Sequence, residues 1–352
     1  MGNQGQSAAE IVFDQATKAY KGAPVPAVDG LSMTVPAGQI CVLLGPSGSG
    51  KTTALTMVNR LVELTSGDIR IDGVSVREQE PTGLRRRIGY VIQQIGLFPH
   101  MTIEENVATV PQVLGWKRDR IRDRVRELLD LVGLPPGEYG GRYPAQLSGG
   151  QRQRVGIARA LAADPPVMLM DEPFGALDPI TRAHMQDEFL RLHEQVRKTT
   201  LFVSHDMDEA VKMGDRIAIL RQGGHLVQYD SPARILTAPA DDFVARFVGT
   251  DRGLKALTLR RLGDLPLDPA DAARDVEAAP LAAAETLHTA LSALMASGSD
   301  RLPVADADGR VIGTVTLDLI RVEAGRPAPG KVEEPDAGPA ASLSASAEGE
   351  VA

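Results

Sequence analysis

The octapeptide Gly45-Pro46-Ser47-Gly48-Ser49-Gly50-Lys51-Thr52 follows a short apolar run at 39–44 and opens a segment of helical periodicity at 52–64. A strand, a glycine-rich turn and a helix in that order form the phosphate-loop arrangement, and few folds accommodate it. The glycines let successive backbone N–H groups curl around phosphate oxygens, and the helix N-terminus adds positive potential. Lys51 is expected to reach β- and γ-phosphates, while the Thr52 hydroxyl is suited to ligate Mg²⁺. The pattern therefore points to an α/β sheet with a nucleotide at the carboxyl edge of its strands.

Further apolar runs at 88–92, 167–170, 200–203 and 216–220 alternate with helical segments, as a sheet covered on both faces requires. Residues 104–146 contain no strand signal and break the alternation, so a helical insertion is expected there. Within it the basic stretch 117–126 alternates with Ile121, Val125, Leu128 and Leu129 at helical spacing, which reads as one buried and one solvated helix face. A length of 352 residues leaves room for a second, smaller domain. Its boundary is marked twice. All aromatic residues lie at or before Phe247, and residues 251–352 carry 10 basic against 17 acidic side chains, whereas 1–250 are close to neutral. A chain with net charge −8 lacks the basic surface that nucleic acid demands. No apolar stretch reaches the roughly 18 residues of a membrane span, the first ten residues are polar, and the single Cys41 suits a reducing compartment as a buried core residue.

Three further motifs narrow the reading. Leu147-Ser148-Gly149-Gly150-Gln151 precedes a helix, an apolar strand ends in Asp171-Glu172-Pro173, and Gly175-Ala176-Leu177-Asp178 and Ser204-His205-Asp206 follow. In this order they resemble the signature, second nucleotide motif and switch of ATP-binding cassette (ABC) ATPases, over about residues 10–248. The resemblance implies the P-loop NTPase fold of that family in residues 1–250, with a helical subdomain at about 104–160. It also implies ATP and Mg²⁺ as cofactors.

Two carboxylates at a strand end beside a phosphate loop suit phosphoryl chemistry: Asp171 for the Mg²⁺ shell and Glu172 to polarise the attacking water. By resemblance His205 contacts the γ-phosphate, and Gln93 reaches metal and water, although Gln94 stands beside it. Tyr20 matches the aromatic on which adenine stacks, with Phe13 also nearby. Thr53 joins Gly45 to Thr52 in contacting phosphate. Ser148 and Gly150 are expected to complete the site of a second copy, which implies a head-to-tail dimer closed by ATP, and Gly149, Gln151 and Asp178 are expected to contact nucleotide as well.

With no spanning segment, a transporter of this type needs a separate integral membrane permease. The resemblance puts the chain on the cytoplasmic face of the membrane, as a peripheral subunit. Residues 90–107, from Tyr90 through Gln93, Phe98 and Pro99 to Val107, are similar to the ATPases of glycine betaine, carnitine and choline importers, which work with an extracytoplasmic binding protein. An importer for another small solute, such as an amino acid or a sugar, is the alternative. Residues 285–322 combine a helix face (Leu287, Leu291, Leu294) with two short strands around Asp308-Gly309. They resemble one repeat of a cystathionine-β-synthase (CBS)-type regulatory module within 251–325. Its second copy is degenerate in 256–284, absent, or supplied by another subunit. Leu319 stands where nucleotide-binding copies often carry aspartate. Two roles for the module stand open: sensing ionic strength through its acidic surplus set against the basic cluster Arg252, Lys255, Arg260 and Arg261, or simple dimerisation. Residues 326–352, rich in Pro, Ala, Ser and Glu, read as a disordered tail.

Overall fold

The computed structural model describes residues 7–93, 96–270 and 278–324; the expected tail at 326–352 and the alternative Gln94 lie outside them. The chain runs through β1 (Ile11–Lys18), β2 (Val28–Val35) and β3 (Ile40–Leu44) into the glycine loop and α1 (Lys51–Val58). Strands β4 (Ser66–Ile71) and β5 (Val74–Ser75), helix α2 (Pro81–Arg86) and β6 (Ile88–Val91) follow. Helices α3 (Ile103–Val113), α4 (Arg118–Leu131), α5 (Pro136–Tyr139) and α6 (Gly149–Leu161) come before β7 (Val167–Asp171). Then come α7 (Pro179–Val196), β8 (Thr199–Val203), α8 (Met207–Met213), β9 (Arg216–Arg221), β10 (His225–Asp230), α9 (Pro232–Thr237) and α10 (Asp242–Val248).

A six-stranded sheet in the order β10-β9-β3-β8-β7-β6 carries the expected strands, parallel except for β10. Side chains alternate across it with period two. Val42, Leu44, Met168, Met170, Phe202, Ile217 and Ile219 belong to one core, and Cys41, Leu43, Leu169, Leu201, Val203, Ala218 and Leu220 to the other. Strands buried on both faces read as unbroken apolar runs for this reason. Burial lifts the Cys41 thiol to about 12, so it stays an inert core residue.

One core lies under the helices, with α3, α4 and α6 forming the expected strandless insertion. Thr102 and Glu105 cap α3 reciprocally, and the buried Asn106 amide donates to the Phe98, Met101 and Thr102 carbonyls, closing the preceding loop onto the helix. The apolar face of α4 is Ile121, Val125, Leu128 and Leu129, as its spacing predicts.

The other core is roofed by an antiparallel sheet, β2-β1-β4-β5, that the strand and helix pattern did not reveal. Its first strand is bulged: register shifts between Phe13 and Ala16, and Gln15 takes φ 48. Gly67 faces the bulge so closely that a Cβ there would stand 2.1 Å from the Gln15 carbonyl. The bulge destroys the simple alternation that marks a half-buried strand. Helix α1 also ends six residues before its periodicity suggests. The Asn59 side chain accepts from the Leu61 N–H, Arg60 turns to φ 55, and the Arg60 guanidinium donates to the Val76 and Gln79 carbonyls.

Beyond α11 (Arg252–Ala256), a three-stranded sheet of β11 (Leu281–Ala282), β12 (Arg301–Ala305) and β13 (Val311–Thr316) packs with α12 (Leu287–Ser297) and α13 (Leu317–Ala324). It has its own core, including Leu262, Leu287, Leu294, Leu302, Val304, Val315 and Ile320. The expected hairpin forms, with Gly309 at φ 78 and the Asp306 carboxylate accepting from the Asp308 and Arg310 N–H groups. Described residues between 257 and 284 supply two short 3₁₀ turns and β11 to this same core, so they complete one module instead of building a second. Two of the four residues of the basic cluster are engaged within the chain. Lys255 pairs with Asp208 (3.1 Å) and Asp251 (3.5 Å), and buried Arg260 pairs with Glu323. This narrows the expected four-residue cluster, of which Arg261 is exposed.

Candidate functional site

Strand β3 delivers the phosphate loop to the carboxyl edge of the large sheet, and two of its glycines are fixed by space. A Cβ at Gly45 would lie 2.3 Å from the Leu220 carbonyl, and one at Gly50, where φ is 84, would lie 2.1 Å from the Ala27 carbonyl. Pro46, Ser47 and Gly48 are exposed at the crest, and Thr53 is half-buried one residue into α1 behind Thr52. Ser49 is fully buried, with its hydroxyl unpartnered among the described residues. The Lys51 ammonium bends back to donate to the Gly45 (2.7 Å) and Pro46 (3.0 Å) carbonyls. Its burial lowers its pKa, while the nearby carboxylates of Glu172 and Asp171 oppose that shift.

Strand β7 lies between β6 and β8, so three strand ends converge on one point. Asp171, last in β7, accepts from the Thr52 hydroxyl at 3.0 Å. Glu172 turns out of the strand at φ 43, a conformation that costs roughly 1–2 kcal/mol for a residue with a Cβ. Its N–H donates to the Val203 carbonyl, which ties the turn to β8. Phe174 then buries completely against Phe202 and Phe189, with ring centroids 5.9 and 6.3 Å away, and about 1.5–3 kcal/mol of burial anchors the loop. One carboxylate oxygen of Glu172 meets two of the expected site residues: Gln93, from the end of β6, donates to it at 3.1 Å, and His205 Nδ1, from the end of β8, lies at 3.3 Å.

Burial is the main cause of a raised Asp171 pKa; the Thr52 hydrogen bond opposes it, the Glu172 charge adds to it and Lys51 opposes it. A carboxyl group whose folded pKa is raised favours the folded state when protonated, and that contribution is lost as pH rises through the folded pKa. At pH 7 ionised Asp171 therefore opposes folding. Asp171→Asn is expected to melt higher than the wild type in thermal scans without nucleotide at pH 7, and the gap should close as the pH is lowered. A lower melting temperature for the variant would contradict the electrostatic account.

The remaining expected residues fall into two places. Tyr20 is 46% exposed with the Lys18 ammonium 5.0 Å from its ring centre, whereas Phe13 is sealed in the core, which separates these two candidates. Ser148 caps α6, exchanging hydrogen bonds with Gln151. Asp178 caps α7 by accepting from the Thr181 N–H. Gly149 faces Leu177, and a Cβ on Gly150 would sit 3.1 Å from Thr181. The signature and the Asp178 loop thus share one surface. Among the described residues no hydrogen bond joins Ser148, Gly149, Gly150, Gln151 or Asp178 to the phosphate loop of their own chain. Sequence reading missed Arg182, Gln186 and Glu209, which stand behind the His205 loop; their i,i+4 spacing on α7 was the available signal for the first two.

No helix among the described residues is long and apolar enough to cross a membrane. Helices α3 and α4 enclose a cleft of about 540 Å³ lined by Ala108, Trp116, Ile121 and Val125, with Glu104 and Arg118 also on its walls.

The site invites comparison with known proteins. A family profile described as ABC transporter matches residues 28–175. The osmoprotectant import ATP-binding protein OsmV of Salmonella typhimurium is 54% identical over 258 residues, covering 72% of this chain and 67% of that protein. The glycine betaine/carnitine/choline transport ATP-binding protein OpuCA of Bacillus subtilis is 46% identical over 310 residues, covering 88% of this chain and 79% of that protein. Among solved structures, a dimeric ATP-binding cassette in a post-hydrolysis state, bound to ADP and Pi, matches with a TM-score of 0.56 and 34% identity. It covers 63% of this chain and 98% of that one.

Proposed function

This chain belongs to the ABC transporter family, and from that premise we propose that it is the ATP-hydrolysing subunit of an importer for quaternary ammonium osmoprotectants. The observation that carries the catalytic part is the convergence of Gln93 and His205 on one oxygen of Glu172, beside Lys51, Thr52 and Asp171. Glu172 is the general base: its carboxylate accepts a proton from the attacking water while Gln93 and His205 fix its orientation. Lys51, already poised over the loop by two carbonyls, exchanges them for β- and γ-phosphate oxygens. Backbone N–H groups of Gly45 to Thr53 cradle the same phosphates, and the exposed ring of Tyr20 stacks on adenine.

Mg²⁺ fits this donor set. The Thr52 hydroxyl and the Asp171 carboxylate are hard oxygen ligands held 3.0 Å apart, and Gln93, which turns its amide N–H₂ to Glu172, keeps its carbonyl oxygen for a cation. When bound, the ion neutralises charge on the β- and γ-phosphate oxygens.

Ser148, Gly149, Gly150, Gln151 and Asp178 share a surface that, among the described residues, makes no hydrogen bond to its own phosphate loop, and Ile180 beside it is 85% exposed. We assign this surface to the ATP site of a second copy in a head-to-tail dimer. The cleft between α3 and α4 is the seat proposed for a helix of a separate membrane permease, with the chain held peripherally on the cytoplasmic face. An extracytoplasmic binding protein delivers solute to that permease. Residues 1–250 form the motor, with 104–160 as its helical part, and 251–325 act as a single CBS-like regulatory unit.

The solute reading is supported by the cargo named for the relatives, osmoprotectants in one case and glycine betaine, carnitine and choline in the other. It is tested by uptake in the host cell. Removing this chain should reduce glycine betaine or choline uptake at high osmolarity to background while methionine and sugar uptake stay unchanged. Intact uptake of every quaternary amine, with loss of an amino acid or a sugar, would reassign the cargo.

A further inference from the structure

The imidazole of His205 is exposed, and among the described residues its polar partner is Glu172 alone. A ring held at one end by a single 3.3 Å contact depends on its own backbone for its position. That backbone is the tripeptide Ser204-His205-Asp206 between β8 and α8, and it is fastened from behind. Buried Glu209, in the first turn of α8, accepts from the Ser204 hydroxyl with one carboxylate oxygen and from Gln186 Nε2 with the other, the latter at 2.9 Å. Ser204 Oγ in turn accepts from the Asp206 N–H at 3.0 Å, and the Asp206 carboxylate accepts from the N–H groups of Asp208 and Glu209. Each residue flanking His205 is therefore tied to Glu209 or to its helix.

Gln186 and Arg182 lie four residues apart on α7, so they share one face. Arg182 donates to the Leu177 carbonyl at 3.1 Å and stands 3.9 Å from the Asp206 carboxylate. One helix face thus holds the loop of His205 and the loop that ends at Asp178. A buried carboxylate with both oxygens engaged by neutral donors costs stability to keep, because burial disfavours its charged form. Its position behind the His205 loop gives that cost a functional use.

We infer that Glu209 is a positioning residue for ATP hydrolysis, which through Ser204 and Gln186 holds the His205 ring against Glu172. The inference rests on the role proposed for His205. Among the described residues the hydrogen-bond partners of Glu209 are Gln186, Ser204 and Asp206, and neither Glu172 nor the phosphate loop is among them, so its loss acts on the chemical step and leaves ATP binding by Lys51 and Tyr20 in place. Glu209→Ala is expected to lower kcat by about 10- to 100-fold, the scale of a displaced catalytic group, with KM for ATP within about twofold of wild type. Glu209→Gln keeps an acceptor for Ser204, and a flipped Gln186 amide can accept from its new N–H₂. It should recover kcat to within about threefold of wild type.

The test is steady-state phosphate release by the full-length protein over a range of ATP concentrations, with His205→Ala in parallel. An unchanged kcat in Glu209→Ala, or an equally deep loss in Glu209→Gln, overturns the inference. If Glu209→Ala does not fold, Gln186→Leu takes its place, and an unchanged kcat there likewise overturns it. A normal kcat in His205→Ala would instead sink the role proposed for His205, so the two failures are distinguishable.

Discussion

Lys51→Ala should bind ATP about a hundredfold more weakly than the wild type, as measured by titration with a fluorescent ATP analogue or by calorimetry. The lysine donates to both the Gly45 and Pro46 carbonyls of the loop, and it is buried. A buried ammonium that donates to phosphate oxygens makes charge-assisted hydrogen bonds. Truncating one partner of such a contact costs about 2–5 kcal/mol, and 2.8 kcal/mol already corresponds to about a hundredfold. The fold should survive, because the loop is also secured by Gly45 and Gly50 packing against the Leu220 and Ala27 carbonyls. A variant that binds ATP normally would remove the phosphate loop from the account.

Glu172→Gln should lose steady-state hydrolysis by about 10²- to 10⁴-fold, the range that a general base contributes. The amide keeps the shape of the side chain and the turn at φ 43, so it still reaches Gln93 and His205. What disappears is the ability to take a proton from water. Binding of ATP, assigned in the proposed mechanism to the loop and Tyr20, should be preserved, and that separates this variant from Lys51→Ala. Turnover close to wild type would mean that the base is another group.

The parts of this arrangement that could be read in advance are those carried by contiguous residues. Strands β3, β7 and β8 are unbroken apolar runs because both sheet faces are covered, and Asp171, Glu172 and His205 are simply the residues that come next. Gln93 follows β6 in the same way, so four strand ends define the edge where the catalytic groups meet. The helical insertion was legible because Ile121, Val125, Leu128 and Leu129 keep helical spacing, and α12 because Leu287 and Leu294 do.

What escaped depends on residues far apart in the chain. The bulge at Gln15 and the close approach of Gly67 belong to a pairing across about fifty residues, and together they hid the antiparallel sheet. Lys255 looked like part of a basic patch until Asp208, from another helix, was brought against it. Arg260 was misread for the same reason, since Glu323 reaches it from the last described helix. Glu209 and Gln186 gave no sign of their link, because a buried carboxylate becomes conspicuous only when its burial is known.

The most direct test of the central claim, that ATP closes two copies over sites each copy can only half supply, is light scattering on purified Glu172→Gln. With ATP and Mg²⁺ the variant should shift from the mass of one 37.5 kDa chain to twice that mass, and ADP should not cause the shift. Replacing Ser148 with a bulky residue in the same background should abolish it. A variant that binds ATP yet keeps a single-chain mass at every protein concentration would contradict the composite site and the mechanism built on it.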